Sequence, residues 1–119
     1  MRSGIAGLGA VPGFIGGDTM AQIKKIAQAG TLESNDILVA VAPAPKGTGI
    51  TIELDSIVLA QYGRAIRQVL KEVLAEHKVT DAHIKAVDRG ALDWTIRART
   101  LVALIRAGAT SEGGGEHGA

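Results

Sequence analysis

The sequence predicts a small α+β domain of element order ββαβα, with a mixed three-stranded sheet and helices packed on one face. Three short segments alternate apolar and polar side chains with the period of a strand, and two longer segments repeat apolar residues with helical spacing. The longer helical segment lies between the second and third strand segments, so it can return the chain as a crossover connection. Together these observations indicate one sheet covered by two helices.

Glycines mark the ends of the predicted domain. Of the 16 glycines, six lie in residues 1–20 and five in residues 108–119. We therefore expect a disordered or non-native extension over residues 1–20, a folded domain over residues 21–107 and a disordered glycine-rich tail over residues 108–119. No secretory signal or membrane span is evident in the sequence, and there is no cysteine. We expect a cytoplasmic protein with no membrane partner.

The first two strand segments carry the same alternation. Residues 36–42 place Ile37, Val39 and Val41 on one face, and residues 50–55 alternate in the same way. Prolines and glycines fill the segment between the two runs, which is typical of a turn. The two runs therefore predict a β-hairpin with a long loop.

The remaining segments predict a helix, a strand and a second helix. Apolar residues recur with helical spacing over residues 58–74, and Ser56 stands where a helix N-cap is expected. Residues 79–87 alternate as a third strand, and residues 91–107 predict the second helix. The predicted buried face of that helix consists of Ala91, Trp94, Ala98, Leu101, Val102 and Ile105.

Ser34 is the candidate functional residue. It lies in a polar segment, residues 29–36, in which Gly30, Asn35 and Asp36 favour a turn. No general base stands beside it in the sequence, so we expect no catalytic residue here. An exposed serine can instead accept a group that another enzyme attaches. The alternative is a serine whose hydroxyl bonds nearby backbone.

Ser56 is the rival attachment point. It follows Asp55, as the phosphopantetheine serine follows an aspartate in the helical carrier proteins of fatty-acid and polyketide synthesis. Here a strand precedes the serine, and Arg64, Arg67 and Lys71 make the following helix basic. We therefore interpret Ser56 as an N-cap.

Two other groups of residues suggest binding sites. His77, Asp81 and His83 could suggest a metal, but no further ligand is near them in the sequence, so we expect no metal site. The basic helix faces leave open a non-carrier interaction or nucleic-acid-binding module. Their basic residues are interleaved with acids, and three aromatic residues are too few for base stacking, so we expect no nucleic-acid partner.

Three separated stretches carry a resemblance to a known family. They are Ala29–Asp36, Gln61–Arg67 and Gly90–Asp93 with the Arg97–Arg99 segment that follows. In order and spacing they resemble the acyl carrier protein, or γ subunit, of citrate lyase. The resemblance covers about residues 23–107.

The resemblance implies a carrier that catalyses nothing itself. It implies that Ser34 bears a covalent phosphoribosyl-dephospho-CoA whose terminal thiol carries the acetyl or citryl group during cleavage of citrate to acetate and oxaloacetate. The implied partners are the α (acyl transferase) and β (citryl lyase) subunits, the prosthetic-group transferase (holo-carrier synthase) and an acetate ligase.

Two details qualify the resemblance. Asn35 stands where the family has glycine, and asparagine tolerates the left-handed turn geometry that glycine allows. The carrier (δ) subunit of malonate decarboxylase is the alternative, since it uses the same group on a similar turn. The residues before Ser34 and the Gly90–Asp93 stretch favour the citrate lyase type. We also expect the acidic neighbourhood of Glu33 and Asp36 to contribute to partner recognition.

Overall fold

The computed structural model of this chain describes residues 21–109. Its elements in chain order are β1 (Ala27–Gly30), β2 (Ile37–Ala42), β3 (Ile50–Ser56), α1 (Leu59–Glu76), β4 (Ala82–Asp88) and α2 (Asp93–Arg106). The extension predicted over residues 1–20 and residues 110–119 of the predicted tail lie outside the described residues.

The strands form one mixed sheet in the order β1-β2-β4-β3. β2 runs antiparallel to both β1 and β4, whereas β3 and β4 are parallel. The register places Val39 opposite Ala86 and Ile52 opposite Ile84, so these inward-facing side chains form continuous rows across the sheet. The α+β class, the mixed sheet and the order of the predicted elements are confirmed.

Two predictions about the sheet are wrong. The sheet has four strands rather than three, because the short segment Ala27–Gly30 pairs with β2. The predicted hairpin between residues 36–42 and 50–55 does not form, because β4 lies between β2 and β3. β4 suits the centre, since its inward side chains are buried, whereas β3 is only partly buried and suits an edge.

Both helices pack on one face of the sheet. α2 lies against β1 and β2, α1 lies against β3, and the two helices contact each other. The largest fully buried apolar side chains come from both layers and include Ile37, Val39, Ile84, Leu70 and Leu104. Each such side chain contributes about 1.5–3 kcal/mol when removed from water. The opposite face of the sheet exposes polar side chains such as Glu53 and Lys85.

The helical period of α2 is correct, but its predicted phase is wrong. The side chains buried along α2 are Ile96, Thr100, Ala103 and Leu104, whereas Trp94 is 70% exposed. Thr100 is not among the residues predicted to be buried. Its hydroxyl donates to the backbone carbonyl of Ile96 at 2.7 Å, which satisfies the polar atom and permits full burial.

Each edge strand has one backbone carbonyl covered by an arginine. Arg67 donates to the carbonyl of Ile52 in β3 at 2.8 Å, and Arg106 donates to the carbonyl of Gln28 in β1 at 2.9 Å. Charged side chains along an edge discourage pairing with another chain. Within residues 21–109, no helix has the length and hydropathy needed to cross a membrane.

Candidate attachment site

Ser34 lies at the second position of a four-residue β-turn formed by residues 33–36. The backbone N–H of Asp36 donates to the carbonyl of Glu33 at 3.2 Å, and Asn35 has a φ of 65°. A positive φ at the third position is what a type II turn requires. Asn35 therefore adopts the left-handed geometry that asparagine tolerates and glycine allows.

The hydroxyl of Ser34 has no hydrogen-bond partner within residues 21–109, and the residue is exposed. The alternative of a serine bonded to nearby backbone is therefore not what the structure shows. The Asp36 side chain of the same turn, by contrast, is bound to Thr31 and Arg99.

A glycine at position 30 allows β1 to approach β2 just before the turn. Gly30 has a φ of 99°, and a Cβ on it would lie 1.8 Å from the carbonyl oxygen of Ile37. No other residue fits this position without moving one of the two strands. Gly30 thus sets where the chain leaves the sheet and where the turn begins.

Asp36 connects the turn to helix α2. One carboxylate oxygen accepts from Nε of Arg99 at 3.0 Å, and the other accepts from Nη2 at 2.9 Å. The hydroxyl of Thr31 donates to the same carboxylate at 2.7 Å, and the backbone N–H of Ile37 donates at 2.7 Å. The Arg99 hydrogen bond, followed by that of Thr31, lowers the pKa of Asp36 from 3.8 to about 2. The buried carboxylate is therefore ionised and holds the turn in place.

The connection after β4 supports the other side of the turn. The N–H of Asn35 donates to the carbonyl of Arg89 at 2.8 Å, and the N–H of Arg89 donates to the carbonyl of Asp36 at 2.9 Å. These bonds extend the pairing of β2 with β4 past the last regular pair, Ile37 with Asp88. The turn is thus fixed by the sheet and by α2 together.

A second buried carboxylate, Asp88, organises the same end of the sheet. It is 1% exposed and accepts hydrogen bonds from the N–H groups of Gly90 and Ala91 at 3.1 and 3.0 Å. It also accepts from the hydroxyl of Ser56 at 2.9 Å. An aspartate two residues before a glycine is a recognised turn signal, and here its carboxylate forms the hydrogen bonds of that turn.

The interpretation of Ser56 as an N-cap is wrong. Helix α1 begins at Leu59 with Val58 as its N-cap, and no side chain caps it. Ser56 is instead the last residue of β3, where its Oγ accepts the N–H of Val58 at 3.1 Å and donates to Asp88. Its hydroxyl is therefore engaged inside the fold, unlike that of Ser34.

A groove of about 370 Å³ lies between α1 and the beginning of α2. Its walls include Val58, Tyr62, Ala65, Val69, Leu92 and Ile96. Gly90 also lines it, and a Cβ on Gly90 would lie 3.6 Å from Oδ1 of Asn35. The groove therefore begins beside the turn that holds Ser34.

The two acidic residues expected to contribute to partner recognition, Glu33 and Asp36, differ in their exposure. Glu33 is exposed, whereas Asp36 is buried and turned toward Arg99.

Of the three residues considered as metal ligands, Asp81 accepts the N–H of Gly49 at 2.7 Å. In the described part of the chain, no three His, Cys, Asp or Glu side chains are grouped closely enough to hold a metal ion. The structure does not bring His77, Asp81 and His83 together as a ligand set.

Comparison with known proteins gives the family. Residues 24–107 match the ACP family model described as "Malonate decarboxylase delta subunit (MdcD)". A citrate lyase acyl carrier protein of Streptococcus equi subsp. equi (strain 4047) is 51% identical over 86 residues, covering 72% of this chain and 83% of that protein. One of Streptococcus pyogenes serotype M5 (strain Manfredo) is 52% identical over 85 residues, covering 71% and 82%. This chain belongs to the citrate lyase acyl carrier protein family.

Membership of the citrate lyase acyl carrier protein family confirms the resemblance found in the sequence, and with it the expectation of a carrier subunit rather than an enzyme. A crystal structure of a Pseudomonas malonate decarboxylase hetero-tetramer in complex with malonate contains a chain of similar fold. Its TM-score is 0.62 at 17% identity, over 76% of this chain and 91% of that one. At that identity the likeness shows the fold alone, so the malonate decarboxylase alternative fits less well than the citrate lyase one.

The three stretches that carry the resemblance meet at this site. Asp36 of the first stretch pairs with Arg99 of the third. Tyr62 and Ala65 of the second stretch line the groove together with Leu92 of the third. Segments of a citrate lyase carrier that are far apart in sequence therefore surround the Ser34 turn and the groove beside it.

Proposed function

We propose that this chain is the acyl carrier subunit of a citrate lyase and that Ser34 is where its prosthetic group, phosphoribosyl-dephospho-CoA, is attached. The observation that carries the proposal is the contrast within the turn. Thr31 and Asp36 are held by side-chain hydrogen bonds and Asn35 by its backbone N–H, whereas the exposed Ser34 hydroxyl has no partner within residues 21–109.

The residues around Ser34 fit such a group. A phosphodiester needs an accessible hydroxyl oxygen on a fixed backbone, and the turn provides both. The neighbouring Arg89 forms no ion pair within residues 21–109, so its guanidinium is available to balance the negative charge of a phosphate. When attached, the group supplies the thiol that this cysteine-free chain lacks.

The role of the chain itself is to position the oxygen to which the group is attached. The Asp36–Arg99 pair and the Arg89 backbone hold the Ser34 oxygen outward from the domain. A tethered acyl group then reaches each partner site at a high effective concentration without dissociating. The proposed partners are the acyl transferase and citryl lyase subunits, the prosthetic-group transferase and the acetate ligase. A cytoplasmic location stays a prediction.

Glu33 and Asp36 have different roles in this proposal. Glu33 is exposed next to Ser34, and we propose that it contacts the partners. Asp36 acts by holding the turn, because its carboxylate is already occupied by Arg99 and Thr31. The joint recognition role of Glu33 and Asp36 stays a prediction.

The basic-face alternative loses support because several of the arginines on which it depends are engaged within the domain. Arg67 and Arg106 bind backbone carbonyls, and Arg99 binds Asp36. Arg97 forms ion pairs with Glu72 and Asp93. An interface for nucleic acid requires arginines that can reach phosphates.

The mass of the intact protein tests the proposal. Protein produced together with its prosthetic-group transferase should be heavier than the polypeptide by one attached group. Ser34→Ala should abolish the increase, whereas Ser56→Ala, the matched control, should retain it. An increase that survives Ser34→Ala would overturn the assignment.

A further inference from the structure

The groove beside the Ser34 turn has apolar walls and an unusual set of exposed side chains at its edges. Tyr62 is 54% exposed and Leu92 is 56% exposed, although both line the groove. Two carboxylates, Asp88 and Asp93, also line it. Both are already occupied, Asp88 by backbone N–H groups and Asp93 by Arg97. The groove is therefore suited to a neutral, largely apolar occupant.

The size of the groove favours a slender ligand over a protein surface. About 370 Å³ falls within the range of roughly 300–1,000 Å³ that is usual for small-molecule sites. A stable protein–protein contact generally buries more than about 1,000 Å², which calls for a broader surface than this groove.

The position of the groove points to a ligand attached at Ser34. Gly90 lines the groove, and the space beside its Cα is bounded by Asn35 and Ile57, at 3.6 and 3.9 Å from the position of a Cβ. Asn35 directly follows Ser34. The entrance of the groove therefore lies one residue from Ser34, within reach of a long flexible group that folds back from the Ser34 oxygen, and glycine at position 90 leaves that entrance unobstructed.

We propose that this groove holds the thiol-bearing end of the group attached to Ser34 between transfers. The inference rests on the proposed function. The end of a CoA-type arm is an unbranched chain of methylenes and amides that ends in a thiol, and it is neutral. Its apolar parts match the walls formed by Ala65, Val69 and Ile96. Resting in the groove keeps the acylated end away from water until a partner draws it out.

Tethering makes even weak binding effective. A short flexible linker gives an effective concentration in the millimolar range, so a groove affinity of about 1 mM already docks roughly half of the arms. The docked thiol is covered, so the rate of its reaction with a water-soluble reagent is proportional to the undocked fraction. We therefore expect at least about a two-fold slowing.

The test is the alkylation rate of that thiol in the holo protein, after hydroxylamine has removed the acetyl group. The chain has no cysteine, so the arm carries the sole thiol of the protein. Ala65→Trp fills the groove from an exposed position on α1, and Ala75→Trp places the same side chain at an exposed position on α1 outside the groove. The wild type and Ala75→Trp should react at the same slow rate, and Ala65→Trp should react at least about two-fold faster.

Intact mass, measured on each sample first, separates the two ideas. Absence of the attached group would overturn both the proposed function and the docking proposal that rests on it. Presence of the group with equal rates in wild type and Ala65→Trp would overturn the docking proposal alone. Backbone N–H shifts in NMR spectra give an independent readout. They should differ between apo and holo protein at Ala65, Val69 and Leu92, and a change limited to residues 33–36 would contradict docking.

Discussion

Asp36 and Arg99 form an ion pair with two hydrogen bonds, although the two residues are 63 positions apart in the chain. Asp36 belongs to the turn that carries Ser34, and Arg99 belongs to α2. The orientation of the Ser34 turn therefore depends on the packing of a helix near the other end of the domain.

Breaking this pair should destabilise the domain. Arg99→Met leaves the buried Asp36 carboxylate without its charged partner, and loss of one partner of a buried pair costs about 3–5 kcal/mol. Because Arg99 is 41% exposed, we expect a smaller loss of about 1–3 kcal/mol in urea unfolding. Arg64→Met, an exposed position on α1, should stay within about 0.5 kcal/mol. Equal losses in the two variants would contradict the role of the pair.

The same pair predicts a pH dependence of stability. The pKa of Asp36 is about 2 in the fold and 3.8 without its partners, so the folded state holds the ionised form more strongly. Its contribution, on the order of 1–2 kcal/mol, is complete above about pH 4 and is lost as the pH falls toward 2. The difference in unfolding free energy between wild type and Asp36→Asn should shrink over that interval. A constant difference from pH 5 to pH 2 would refute the prediction.

Gly30→Ala should be strongly destabilising. The added Cβ would overlap the Ile37 carbonyl, and the positive φ adds strain, so we expect a loss of more than about 3 kcal/mol or failure to fold. Gly47→Ala is the matched control, because Gly47 has a φ of 88° but no atom within 4 Å of its Cβ position. It should lose only about 1 kcal/mol. Comparing the thermal unfolding of the two variants separates the steric overlap, which only Gly30→Ala introduces, from the backbone strain, which both variants share.

Much of this fold and site could be predicted because the signals are local. The alternation around Val39 and Ile52 gives strands, and the turn residues around Ser34 give an exposed turn. β1 could not be predicted, since Ala27–Gly30 has little strand propensity and becomes a strand through pairing with β2. The position of β4 between β2 and β3 is likewise a property of the whole sheet.

The errors in α2 have a similar origin. Hydrophobicity placed Trp94 inside and Thr100 outside, but the first turn of the helix leaves Trp94 exposed, and Thr100 satisfies its hydroxyl on its own helix. The partner of Asp36 was beyond sequence reasoning, because nothing local indicates which arginine reaches it.

Glu33 should affect the rate of partner association. Glu33→Gln removes an exposed charge next to Ser34 and leaves the Asp36–Arg99 pair intact. We expect modification by the prosthetic-group transferase to slow about two- to five-fold at low ionic strength, because charge complementarity mainly raises association rates. The difference should vanish at high salt. Glu53→Gln, which removes an exposed charge on the open sheet face, should leave the rate unchanged, and a Glu33→Gln rate equal to wild type at low salt would refute the role.

The dependence of the turn on Arg99 has a consequence for when the carrier can be loaded. A growing chain that ends before α2 lacks the arginine that fixes Asp36, and one that ends within β4 also lacks the Arg89 backbone that pairs with Asn35. The geometry that presents Ser34 therefore arises only after nearly the whole domain has been translated and folded. A modifying enzyme that recognises this geometry would select completed carriers and pass over nascent or misfolded ones, so that the proposed prosthetic group would be attached only to folded chains.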